Sequence, residues 1–192
     1  MNLKPDPIIL SFNASLVSQN RDDCLRQFLV AYFVDEQSFS VVEKVVPNSG
    51  FPGGKFISKT KFNNPKTGKP YVSEEISIDS DIVLGGWVFH LDSATEGTLK
   101  YMEAHSDVFE KSDLFNCMLP IITKLKSIKN IVSAAFKECD TQKRGRVKNS
   151  DVERILAQFD VTLTKQGRIT LFRRFQFADS DLFLYNEFLA LI

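Results

Sequence analysis

Histidine and tryptophan are nearly missing from this chain: 192 residues hold two histidines and one tryptophan. Any imidazole chemistry falls to His90 and His105, and neither has a nucleophile or a second His or Cys at motif spacing. Cysteine is scarce too. Cys24, Cys117 and Cys139 stand far apart with no C-x-x-C, a pattern that fits a reducing compartment. Neither sign of charge is in excess, with 24 Lys+Arg against 24 Asp+Glu. That balance leaves no long-range field to recruit nucleic acid or an acidic membrane. No apolar run approaches the roughly 18 residues of a membrane span. The start, MNLKPDP, does not read as a signal peptide, because its prolines and Asp6 precede only the short run Ile8-Ile9-Leu10.

What is present is core-forming material. Apolar residues make up 43% of the chain, enough for one large domain or two small ones. The 17 phenylalanines are many for this length; most belong in cores, with some free to anchor a partner.

The first half reads as strands and turns. Phe28 to Val34 and Phe39 to Val42 are apolar, β-branched runs separated by Asp35-Glu36-Gln37-Ser38, the pattern of a β-hairpin. A block rich in glycine and proline follows, Pro47 to Phe56 (PNSGFPGGKF), which needs positive φ at some glycines and fixed φ at the prolines. Lys61 to Lys69 is a polar loop, and Tyr71 to Ile78 alternates weakly as a strand. Gly85-Gly86 bends the chain into a strand from Trp87 to Leu91, where Trp87 reads as core and His90 as a strand histidine. Ala94 to Phe109 reads as a helix, with Ser93 and Glu96 as its capping box.

In this order the pieces resemble a DM-ten (DM10) domain, as found in EF-hand-containing ciliary proteins of the myoclonin type and in related protofilament-ribbon proteins. The resemblance rests on Arg26 to Val34, Asp35-Glu36, a strand ending at Glu43, then Asn48, Ser49, Gly50, Gly53, Gly54, Lys55 and Phe56. Gly85 to Phe89, Leu91-Asp92 and Thr98 to Met102 continue it, so that it covers about Ile8 to Phe109. The resemblance implies a scaffold role on axonemal doublet microtubules, commonly on the inside wall.

After Ser112 the chain reads helical. Leu114, Met118, Ile121, Leu125, Ile128, Val132, Ala135 and Cys139 form one apolar stripe, suited to packing inside a helical domain or to a coiled-coil seam. Pro120 argues for a break or kink near its start. Asp140 to Asp151 then shows EF-hand spacing: acid at loop position 1, Gly145 at 6, an aliphatic residue at 8, acid at 12. Tyr185 to Leu189 resembles the exit of a second EF-hand entered by Ile169 to Phe177, with short strands at Val147 and near Phe183 expected to pair.

The calcium chemistry is absent from both loops. Ca²⁺ takes six to eight oxygens, usually from carboxylates at positions 1, 3 and 5 and a bidentate Glu at 12. The first loop has Gln142 at position 3 and Arg144 at 5, with Asp151 at 12 and Asp140 or Asp151 placed to pair with Arg144. Counting back from Glu187, the second has Gln176, Ala178 and Ser180 at positions 1, 3 and 5; Asp179 and Asp181 offer carboxylates only in a shifted register. No metal and no cofactor is expected. The cluster Lys143, Arg144, Arg146 and Lys148 reads equally as a solvated loop or as a surface for an acidic partner.

Catalytic motifs fail. A phosphate-binding P-loop would need Gly at Ser49 and Ser or Thr at Phe56. His105-Ser106-Asp107 is similar to the active-site segment of nucleoside diphosphate kinases, without its intervening glycine or its domain, and reads as a polar helix end. The expectation is therefore an α+β chain with no catalytic residues: a tail at residues 1–7, an antiparallel β-rich DM-ten domain with a C-terminal helix at 8–110, and an all-α, EF-hand-like lobe at 113–192. The resemblance further implies a structural microtubule inner protein of the ciliary or flagellar axoneme. It would bind tubulin and other inner proteins in the doublet lumen, in the A-tubule. The alternative is an adaptor or regulator whose EF-hand-like lobe holds a partner helix.

Overall fold

A computed structural model describes residues 6–178 and 180–192. The chain divides into two compact units, the first ending at Phe109 and the second beginning at Glu110.

Alternation builds the first unit. Strand β1 (Ile9–Leu16) turns Leu10, Phe12, Ala14 and Leu16 inward, and β2 (Phe28–Phe33) turns Phe28, Val30 and Tyr32 the same way. With β3 (Ser38–Glu43), β4 (Gly54–Thr60), β5 (Asp81–Leu84) and β6 (Trp87–Ala94) they form one antiparallel sheet in the order β4-β3-β2-β1-β6-β5. The sheet curls until its edge strand β4 reaches β6: Phe56 of β4 lies 5.4 Å from Trp87 and 6.1 Å from Phe89 of β6, centroid to centroid. Each fully buried phenylalanine, such as Phe12, Phe28 and Phe89, contributes roughly 1.5–3 kcal/mol through area removed from water.

Four expectations in this unit are corrected. Tyr71 to Ile78 is not a strand; it folds into a 3-10 turn at Ser73–Glu75, held by the Glu75 carboxylate, which accepts from Asn64 Nδ2 at 2.8 Å and Val72 N at 3.1 Å. Ser93 is not a helix cap. β1 pairs with β6 as far as Ala94, so the chain is still extended there, and helix α1 (Glu96–Ala104) is capped by Thr95 instead. The helix stops at Ala104 rather than Phe109, where His105 folds back to donate from Nδ1 to the Tyr101 carbonyl at 2.8 Å. Trp87 is 42% exposed rather than core, because it sits at the rim of the curled sheet.

The second unit is helical, around two short paired strands. It comprises α2 (Leu114–Leu125), α3 (Lys129–Cys139), α4 (Asn149–Gln158), α5 (Lys165–Arg174) and α6 (Tyr185–Ala190). The apolar stripe from Leu114 to Cys139 serves one packed core, not a coiled-coil seam. Its interruption is not at Pro120, which α2 accommodates, but at a 3-10 turn over Lys126–Ile128. Buried Met118, Ile121 and Leu125 hold α2 on either side of the proline against the lost backbone bond. Phe136, Phe175, Phe183 and Phe188 fill the centre with almost no exposure. Strands β7 (Val147–Lys148) and β8 (Leu182–Phe183) pair with Val147 opposite Phe183, as the EF-hand reading expects.

Candidate functional site

The glycine block joins β3 to β4, and its residues assemble round a buried charge. Asn48, Gly50, Gly53 and Gly54 all have positive φ, from 61° to 103°. At Gly53 a Cβ would lie 2.9 Å from Val45 Cγ2 and 3.1 Å from the Glu43 carbonyl, so only glycine fits. Ser49 Oγ accepts from Phe51 N. The path places the ring of Phe51 4.3 Å from the Arg26 guanidinium and that of Phe56 at 5.1 Å, while Lys55 stays exposed. Beneath them Arg26 makes a two-pronged bond to Glu43 (2.8 and 3.1 Å) and reaches Asp23 at 3.2 Å. Asp23 in turn accepts from Ser18 Oγ at 2.6 Å. The Ser18 hydroxyl, then Arg26, hold the Asp23 carboxyl below its usual range, and Glu43 raises Arg26. The block runs strand to strand and presents no helix N-terminus to a phosphate.

The sequence reading overlooked this ionic cluster. Its signal was nevertheless present. Phe28 pairs with Glu43, so Arg26, two residues earlier, lies diagonally across from Glu43 on the same face. Elsewhere in this unit His90 sits between two carboxylates, Asp81 at 2.7 Å and Asp79 at 3.5 Å. Among the described residues, no three His, Cys, Asp or Glu side chains converge as a metal cage.

The EF-hand-like loops keep the backbone of an ion site and spend its ligands internally. Val147 and Phe183 pair as position 8 of each loop, which sets the second loop in the register counted from Gln176. Asp140, nearly buried, takes Arg144 N on Oδ1 at 3.0 Å, and Gly145 N (2.7 Å) and the Tyr185 hydroxyl (3.1 Å) on Oδ2. The Arg144 amide, more than any other group, holds its carboxyl below the usual range, while burial and Asp140 push Tyr185 up. Asp140 thus bonds the backbone of Arg144, not its guanidinium. Asp151 turns to Arg154 at 3.1 Å, so neither pairs with the Arg144 side chain as expected. Arg154 Nη2 also reaches Cys139 Sγ at 3.1 Å.

In the second loop Gln176 Nε2 donates to the Ser180 carbonyl at 2.7 Å, and Ser180 Oγ donates to the Phe177 carbonyl. Ala178 takes φ 50°, and Asp181 gives its carbonyl to Asn149 N. Asp179 lies outside the described residues. Glu187, at position 12, faces Arg174 at 3.9 Å. Both position-12 carboxylates are therefore turned toward arginines.

Over the first loop lies a shallow depression of about 260 Å³. Gln142, Arg144, Arg146 and Lys148 line it, together with Asp140, Asp151 and Leu182. Arg146 stacks on Phe177 at 3.9 Å, and Lys143 is exposed beside it. The structure thus brings the four basic residues to one loop and gathers three of them round one concavity.

Comparison with known proteins places the first unit. A match to the DM10 domain spans residues 2–98. EF-hand domain-containing family member C2 of Bos taurus is 30% identical over 178 residues, 87% of this chain and 24% of the relative; that of Danio rerio is 26% identical over 176 residues, 86% and 23%. EF-hand domain-containing protein 1 of Mus musculus is 31% identical over 116 residues, 58% of this chain and 18% of the relative. The chain spans about a quarter of the length of the C2 relatives it matches. A curled antiparallel sheet with its glycine block, under a match that covers half the sequence, makes this chain a member of the DM10 domain family.

Proposed function

We propose that this chain is a non-catalytic structural protein of the ciliary or flagellar axoneme. It would act as a microtubule inner protein that binds tubulin and neighbouring inner proteins inside the doublet. The observation that carries the reading is the pairing of a DM10 sheet with an EF-hand-like lobe whose ion positions hold Gln142, Arg144, Ala178 and Ser180. The chemistry of the described residues supports it. The motif glycines shape a buried Arg26–Glu43 pair, and the carboxylates of the first loop already have partners. Cryo-electron microscopy of isolated doublets tests the reading: density for this chain on the inner wall is expected. Its absence from doublets, with tagged protein diffuse in ciliated cells, overturns it.

One observation favours the second reading, an adaptor outside the doublet wall. Phe115 and Leu119, one turn apart on α2, are 68% and 50% exposed, an apolar edge that a partner helix would cover. In that case tagged protein separates from the doublets and copurifies with a helical partner.

A further inference from the structure

We infer that the depression over the first EF-hand-like loop, where calcium would sit in an ion-binding loop, is a docking site for the carboxylates of an acidic polypeptide segment. The argument starts from loop positions. In a functional loop, the side chains at positions 3, 5 and 9 face the ion, directly or through a water, and position 7 gives its backbone carbonyl. Here those positions are Gln142, Arg144, Arg146 and Lys148, and all four line the depression. The concavity survives and the charge of its lining is reversed.

Neither acid of the loop is ion-paired with that basic lining. Asp140 is bonded by two backbone amides and the Tyr185 hydroxyl, and Asp151 is held by Arg154. Among the described residues, Lys143, Arg144, Arg146 and Lys148 form no ion pair. Arg146 is pre-positioned by its stack on Phe177, so less side-chain entropy is lost when it binds. Planar guanidinium groups match carboxylates in a two-pronged geometry, which favours Asp and Glu side chains as the occupant. At zero net charge the chain has no long-range field to gather a nucleic acid, and the basic residues of this site lie on one short loop. The biological setting rests on the scaffold reading, but the test uses the purified 192-residue chain. A failed peptide titration therefore sinks the site, whereas a failed localisation sinks the setting.

The experiment is fluorescence anisotropy of a labelled glutamate-rich peptide titrated with the full chain, in low salt and again in physiological salt. Saturable binding that weakens with salt is expected. Arg144→Glu/Lys148→Glu should weaken it at least tenfold, on solvent-exposed positions that leave the circular dichroism spectrum unchanged. Lys66→Glu/Lys69→Glu changes the net charge equally on another exposed loop and should stay within twofold of the wild type. Gln142→Asp/Arg144→Asp, which restores acid at positions 3 and 5, should abolish the interaction. No saturable binding by the wild type, or equal losses in the two charge-reversal pairs, overturns the proposal. So does tighter binding of a single-stranded oligonucleotide of equal charge.

Discussion

Gly53 shows how much of the DM10 unit depends on one hydrogen atom in place of a side chain. Its φ of 71° and the 2.9 Å approach of Val45 penalise any Cβ twice, by backbone strain and by overlap. Gly54 has φ 103° but open space, so it suffers the strain alone. Gly53→Val should therefore lose roughly 1–3 kcal/mol, the range for a strained backbone position, and Gly54→Val should lose less. Urea denaturation followed by fluorescence reads this cleanly, because Trp87 packs on Phe56 just beyond the loop. Equal midpoints for both variants and the wild type would show that the loop is not structural. Asp140 offers a second test at this scale. Its carboxyl is depressed in the folded state, so its contribution is fully present above the unfolded value of about 3.9 and is lost as pH falls through the lower folded value. Asp140→Asn should be less stable than the wild type at neutral pH, with the gap closing below about pH 4. Parallel curves of denaturation midpoint against pH would refute the assignment.

Among the elements, legibility followed the length of the pattern. The hairpin of β2 and β3 and the paired strands of the EF-hand-like loops were readable because alternation or fixed loop positions repeat several times. Tyr71 to Ile78 misled because Val72, Ile76 and Ile78 fall on alternate positions, while Glu75 folds the segment back on itself. Helix ends misled for a tertiary reason: pairing with β1 carries β6 to Ala94 and delays α1. Of the candidate site, the motif glycines and the lost calcium ligands were legible, since backbone strain and ligand type are local properties. The Asp23–Arg26–Glu43 cluster was harder to see because it joins positions 20 residues apart, 23 to 43, through strand register. The loop elements also carry a prediction. Asp140 and Asp151 already have protein partners, and Phe136, Phe175, Phe183 and Phe188 pack at the centre of the lobe, so its helices are expected to hold without an ion. Titration calorimetry of the full chain with micromolar Ca²⁺ should show no binding heat, and a chelator should leave the melting temperature in place. A micromolar dissociation constant would make the lobe a sensor.

For the whole molecule, charge and apolar surface divide the work of association. Zero net charge provides little steering at long range, so a stable seat must come from contact area. Each unit carries exposed apolar side chains that could supply it: Trp87 and Val45 in the first, Phe115, Leu119 and Ile131 in the second. The basic loop adds a local, screened contact. The two contributions respond oppositely to salt. At about 1 M salt the screening length falls to roughly 3 Å, which silences exposed charge pairs and leaves apolar contacts intact. If the chain is an inner protein of the doublet, it should remain on axonemes through detergent and through that salt wash. The Arg144→Glu/Lys148→Glu variant should still localise there, with lower occupancy. Leu119→Glu, which places a charge on the exposed edge of α2, should release the chain in salt where the wild type holds. Complete release of the wild type by detergent alone would mean that no extensive apolar contact exists, and the adaptor reading would then account better for the exposed edge of α2.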